Sequence, residues 1–259
     1  MKTIVTRKLK PNQFHLVADL LPDNPDNVQS LHFLTHTPKL TEVITTGKKG
    51  HPRSFLIRHQ SAYQEPKVYS NVPEDIVSLL QSIKDWCCVL VANNVAKETQ
   101  KLIEVTFKTK AKPYQDVYFV LKNQVKKIEN KNVRLLTLKD LPLIKQAPKK
   151  LQGAGFNSSK EMLQKGVVAG AIIDHKLVAI AHTSAITPKY ADIGVFTHPA
   201  FRRQGLSSVA VSLVAQKLKQ QGITPVWSTG EDNLPSQNLA KKVGFEEIHR
   251  NTYIIKIAS

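Results

Sequence analysis

Four residues, Arg202-Arg203-Gln204-Gly205, stand at the head of a stretch in which apolar side chains recur at Leu206, Val209, Ala210, Leu213, Val214 and Leu218. That spacing predicts an amphipathic helix of about five turns beginning close to Gly205, fed by a basic turn. A helix start exposes unpaired backbone N–H groups and the positive end of its dipole, which together suit a phosphate. A glycine lets that backbone come close to a ligand. Two guanidinium groups offer forked contacts to phosphoryl oxygens. The chemistry predicted here is capture of a pyrophosphate. The same residues could also form an ordinary helix cap, so the flanking elements must decide.

Upstream, Tyr190–Thr197 alternates as a half-buried strand, with Ala191, Ile193 and Val195 on one face. Downstream, residues 225–228 read as a buried strand. Residues 233–245 then read as a short helix closed by Gly244, with Phe245 covering its end. In this order of elements the segment resembles the GNAT superfamily of acyl-CoA-dependent N-acyltransferases. The family's Arg/Gln-x-x-Gly-x-Gly/Ala hallmark is answered by Arg202 to Ser207, and its Asn before a Gly-Phe helix by Asn233 and Gly244-Phe245. Residues 133–144 are similar to the opening strand and helix of such a domain. The resemblance covers residues 132–259, about half the chain.

The resemblance implies a site and a mechanism. The strand before the phosphate turn splays from its neighbour, and the pantetheine arm of acetyl-CoA lies in the gap. Backbone groups of Val195 and Thr197 would bond that arm, and a backbone N–H near Val195 or Phe196 would hold the developing oxyanion. Arg202, Arg203, Gln204, Gly205, Leu206, Ser207 and Ser208 would wrap the pyrophosphate. Asn233 and Ser236 complete the expected cofactor contacts. The amine attacks the thioester directly. Holding the reactants together supplies most of the acceleration, up to roughly 7–11 kcal/mol in favourable cases. Asp192 is the expected base, taking a proton from the ammonium directly or through water. The competing reading of Asp192 is a solvent-facing residue or an ion pair with a lysine. Two positions depart from the family: Ser207 stands where Gly or Ala is usual, and Leu239-Ala240 where a tyrosine often protonates the leaving thiolate.

Other candidates carry weaker signals. His182 could line an acceptor pocket or be a satisfied core histidine. His198 reads as a turn residue and Trp227 as core. Tyr253, in the final strand, could face the acceptor.

The 259-residue chain carries 37 Lys and Arg against 20 Asp and Glu, a net charge of +17 spread over both halves. Such an excess attracts anions over long range: coenzyme A itself, an anionic small substrate, an acidic protein or nucleic acid. It argues against a polyamine acceptor. The absence of a basic helix stripe and of clustered aromatics disfavours nucleic acid. The two cysteines, Cys87-Cys88, are adjacent, which excludes a disulfide framework and predicts a reducing compartment, the cytoplasm. Within the apolar stretch 86–92 they read as core packing. No C-x-x-C or histidine cluster suggests a metal. No apolar run approaches the ~20 residues of a membrane span, and residues 1–21 break their apolar stretches with charge, a poor secretory signal.

Residues 1–128 read as a mixed α/β domain, with helices at 15–21, 73–83 and near 96–105 and strands at 86–92 and 116–121. The polar stretch 122–131 reads as a linker. This half could be a degraded copy of the C-terminal architecture without its cofactor turn. It is similar to the N-terminal halves of glycine N-acyltransferases and related bacterial two-domain GNAT proteins. The expected fold is α+β: a mostly antiparallel GNAT-type sheet flanked by helices over 129–259, preceded by the smaller domain. The expected function is N-acetyl transfer from acetyl-CoA to a primary amine of an amino-acid-like small molecule. The alternatives are a protein lysine or N-terminal acetyltransferase, or a non-catalytic protein that senses coenzyme A or binds nucleic acid.

Overall fold

A computed structural model describes residues 4–123, 125 and 128–257. The first half runs β1 (Arg7–Lys8), α1 (His15–Ala18), α2 (Val28–His36), β2 (Thr41–Lys48), β3 (His51–His59), β4 (Lys67–Tyr69), α3 (Pro73–Gln81), β5 (Cys88–Val91), α4 (Ala96–Phe107) and β6 (Lys110–Val120). The second runs β7 (Val133–Leu135), α5 (Leu141–Gln146), α6 (Ser159–Lys165), β8 (Val168–Ile173), β9 (Lys176–Ile186), β10 (Tyr190–Thr197), α7 (Leu206–Gln220), β11 (Thr224–Gly230), α8 (Leu234–Val243) and β12 (Glu246–Ile257). The expected linker falls partly on residues 124, 126 and 127, outside the described residues. Among the described residues no helix is long and apolar enough to cross a membrane.

These elements form two compact units interleaved along the chain. One comprises the chain up to Pro22, Phe33–Val117 and the chain from His249; the other comprises Asp23–His32 and Tyr118–Ile248. In the first, the strand order is β1-β2-β3-β4-β5-β12-β6, with β4 and β5 parallel. Ile76, Leu79 and Leu80 of α3 and Ile103 of α4 are fully buried against Leu56 and Val89. The 3–4 spacing of those apolar positions is what makes α3 helical.

In the second unit the order is β11-β10-β9-β8-β7, antiparallel except for β10 with β11. Apolar residues of α5 and α6 build a core with Leu151, Phe156 and Ile180. Alternating with the strand residues of that core are the buried alanines Ala169, Ala171, Ala179 and Ala181, whose small side chains let α7 pack closely. β10 has the predicted bounds. α7 starts at Leu206, one residue past Gly205 as predicted, but it is 15 residues long, about four turns rather than five. Gly222, at φ +77°, ends it early.

Both units place three antiparallel strands, a helix, and a fourth strand parallel to the third: β2-β3-β4, α3, β5 in one and β8-β9-β10, α7, β11 in the other. The helix starts differ. α7 opens on the basic glycine turn, whereas α3 opens on Pro73, Glu74 and Asp75. The core-packing reading of the cysteines holds only for Cys88; Cys87 precedes β5 and is exposed. Tyr253 lies in the first unit, opposite Leu90 on β12.

Candidate active site

β10 pairs with β11 only from Tyr190↔Thr224 to Asp192↔Val226. Its pairing with β9 continues to Thr197↔Ala179, with a bulge between Asp192 and Ile193. Beyond Asp192, the edge of β10 towards β11 has no strand partner among the described residues. Unpaired backbone groups along such an edge can bond an extended ligand as they would a strand. Val195 and Phe196 are half-buried there, and Thr197 is buried.

Past Thr197 the chain makes the basic glycine turn. Arg202, Arg203 and Gln204 are exposed, with Arg203 at φ +63° and Gly205 at φ +76°. Left-handed residues in a turn can bring successive N–H groups into a concavity suited to anions. The first helical bond into α7 runs from Val209 N–H to the Gly205 carbonyl, which leaves the N–H groups of Leu206, Ser207 and Ser208 without an intrahelical acceptor. Arg202 Nε donates to the Thr197 carbonyl at 3.3 Å, and the Ser207 and Thr197 hydroxyls lie 2.5 Å apart. Ser207 therefore ties the helix start to β10. The side chain of Leu206 is buried in the core, so only its backbone is available to a ligand.

Asn233 caps α8, accepting from Ser236 N–H at 3.3 Å, and the Ser236 hydroxyl accepts from Trp227 Nε1–H at 3.1 Å. Trp227 is core, edge-on to Phe245. Ala240, in place of the family's tyrosine, is fully buried and offers no proton. His198 is a turn residue that caps Ala200 N–H.

A polar cluster flanks the head of the gap. Asp192 is buried, and its Oδ2 accepts from Ser184 Oγ at 2.6 Å and from Gln29 Nε2 at 3.1 Å. It is thus not solvent-facing. His182 Nε2 accepts from Ala154 N–H at 3.0 Å, which puts the ring proton on Nδ1. That Nδ1 is buried with no hydrogen-bond partner among the described residues. Burial pushes the His182 pKa down to about 4, so the ring is neutral at ordinary pH. His32 Nε2 lies 2.6 Å from the Gly155 carbonyl, and its Nδ1 accepts from Ile186 N–H at 3.2 Å. Gln29 and His32 come from α2, more than 120 residues before their partners. Sequence spacing held no signal for either.

The histidine also explains a glycine. Gly194 stands opposite His182 in the β9–β10 register, and a Cβ there would lie 2.7 Å from His182 Cε1. Gly194→Ala is expected to cost about 2 kcal/mol by overpacking. His182→Ala should recover at least ~1 kcal/mol of that in the double variant, measured by denaturant unfolding as a mutant cycle. Additive losses would contradict the contact.

The chain matches the family model of the GNAT acetyltransferases over residues 44–254. The match begins within β2, well ahead of the motif-bearing segment. No curated protein matches the chain in sequence. A GCN5-related N-acetyltransferase-like protein from Streptococcus suis has a TM-score of 0.70 at 15% identity, over 96% of this chain and 100% of that one. A GCN5-related N-acetyltransferase from Sphaerobacter thermophilus has a TM-score of 0.61 at 12% identity, over 100% and 97%. A tandem GNAT protein from the clavulanic acid biosynthesis pathway has a TM-score of 0.57 at 12% identity, over 99% of each chain. At these identities the likeness is one of fold. With the family's segment running through most of its length, the chain belongs to the GNAT acetyltransferase family.

Proposed function

We propose that the second unit transfers an acetyl group from acetyl-CoA to a primary amine on an amino-acid-like small molecule. The observation that carries this reading is the gap that opens between β10 and β11 at Asp192 and leads to the Gly205 turn. A thin pantetheine arm would bond the unpaired edge of β10, and its pyrophosphate would meet the N–H groups and arginines at the end. Backbone N–H groups near Val195 and Phe196 would polarise the thioester carbonyl. The amine attacks that carbon, the tetrahedral centre collapses, and the thiolate leaves with both electrons of the C–S bond. A carboxylate on the acceptor would suit the net charge of +17.

Asp192 would take the ammonium proton, with Gln29 and Ser184 orienting its carboxylate. Asp192→Asn is expected to lower turnover by roughly 10²–10⁴-fold, with acetyl-CoA binding unchanged. Unchanged turnover would remove Asp192 from the mechanism.

The repeated strand–helix order and the likeness to a tandem GNAT protein support reading the first unit as a second copy of the fold. Its α3 begins with two acidic residues, which disfavour a phosphate there. This supports placing the cofactor in the second unit. Calorimetric titration with acetyl-CoA tests the proposal, followed by a screen of amines for release of free thiol. Binding in roughly the micromolar range is expected. No binding by the native protein would overturn the enzyme reading.

A further inference from the structure

The chain's two cysteines are consecutive, and in a regular strand consecutive side chains point to opposite faces. Here the backbone departs from that pattern. β5 begins only at Cys88, and the N–H groups of Cys87 and Cys88 approach one acceptor, the Gln64 carbonyl, at 2.8 and 3.5 Å. The two sulfurs come to 3.9 Å of each other. Glu65, next to that carbonyl, brings in its carboxylate, and all three ligand atoms lie within 4.8 Å of one another. Two thiolates bound to a tetrahedral zinc ion at about 2.3 Å stand about 3.8 Å apart. The sulfurs already hold that spacing.

The surroundings fix the backbone and leave an opening. Leu90 N–H donates to the Pro66 carbonyl at 3.0 Å, and Lys256 N–H to the Cys87 carbonyl at 2.8 Å. Cys88 is buried, whereas Cys87 and Glu65 are exposed. The nearby cation is Lys256, whose ammonium lies over the Trp86 ring, 4.0 Å from its centroid.

We propose that Glu65, Cys87 and Cys88 form a site for a borderline-soft divalent cation of the zinc class, with the remaining position open to water. Two thiolates and one carboxylate favour such an ion over magnesium or calcium. Binding forms two metal–sulfur bonds and releases the two thiol protons to solvent; no electrons are exchanged. The ion would clasp the loop after β3 to the head of β5. The site lies in the first unit, and its test is independent of acetyl transfer.

The test is titration of the reduced full-length protein with Cd²⁺, read by sulfur-to-cadmium charge-transfer absorption, with Zn²⁺ as competitor. Saturation at one ion per chain is expected, with the absorption displaced by Zn²⁺. Cys87→Ser should abolish it, and Glu65→Gln should weaken binding at least ~10-fold. Both side chains are exposed, so both variants should keep the native circular dichroism. An absorption that is absent, that survives Cys87→Ser, or that is unchanged in Glu65→Gln would overturn the site. So would saturation at one ion per two chains, which would mean that exposed Cys87 residues bridge molecules.

Discussion

Replacing Arg203 and Gly205 together by glutamate is expected to weaken acetyl-CoA binding at least ~100-fold, about 2.8 kcal/mol. The expected pyrophosphate sits where α7 begins, and there the variant puts two carboxylates in place of a guanidinium and a hydrogen. Like charges then face the ligand at the helix start, and the N–H groups of Leu206 to Ser208 gain a competing anion. The protein's overall field barely changes: the net charge of +17 falls by three units, two at Arg203 and one at Gly205. A hundredfold loss would therefore localise binding to the turn. The fold should survive, because both positions are exposed and a Cβ at Gly205 meets nothing within 4 Å. Gly205→Ala separates shape from charge. At φ +76° it carries roughly 1–2 kcal/mol of backbone strain, so the thermal midpoint should drop slightly while binding largely persists. Retained binding by the double glutamate variant, measured calorimetrically, would move the cofactor away from this turn.

The turn was legible in the sequence because everything that builds it is local. Leu206 to Leu218 repeat with the helical period, and Gly205 is the only glycine near the start of that repeat. Tyr190–Thr197 alternates cleanly, so β10 could be placed to the residue. The polar cluster was not legible, because its members meet only through tertiary structure. Gln29 reaches Asp192 across 163 residues, and His32 reaches Gly155 across 123. Nothing in the spacing around Gln29 distinguishes it from any polar residue on a short helix. The cysteine pair misled for a related reason: the apolar stretch 86–92 reads as core throughout, but β5 begins only at Cys88, and Cys87 lies exposed before it, held by the Gln64 carbonyl. The tautomer of His182 likewise depends on Ala154, in a glycine-rich loop that sequence patterns leave without structure.

That loop carries the second large effect. Gly155→Ala is expected to destabilise the protein by about 3–5 kcal/mol, an exceptional loss for one methyl group. A Cβ at Gly155 would lie 1.7 Å from the Ser184 carbonyl oxygen, and the residue sits at φ +93°. Neither side can yield cheaply. Ser184 is within β9, between β8 and β10, and its hydroxyl is bonded to Asp192. The loop must lift, and in doing so it gives up the His32 contact to the Gly155 carbonyl and the Ala154 bond to His182. Each such buried bond contributes about 1 kcal/mol, more where a partner is left unsatisfied. The thermal midpoint should fall by roughly 10 °C on the usual scale for a chain of this size. The pH dependence supplies a second readout. Burial holds His182 at about 4 against its ordinary 6.5, so the unfolded chain binds a proton that the folded one refuses. Native stability should therefore decline as pH falls from about 6.5 towards about 4. A lifted loop admits water to the ring, lets its pKa rise towards the ordinary value, and flattens that decline in Gly155→Ala. Equal slopes for both proteins would mean that the loop does not control the burial of His182, and that the loss in the variant comes from strain alone.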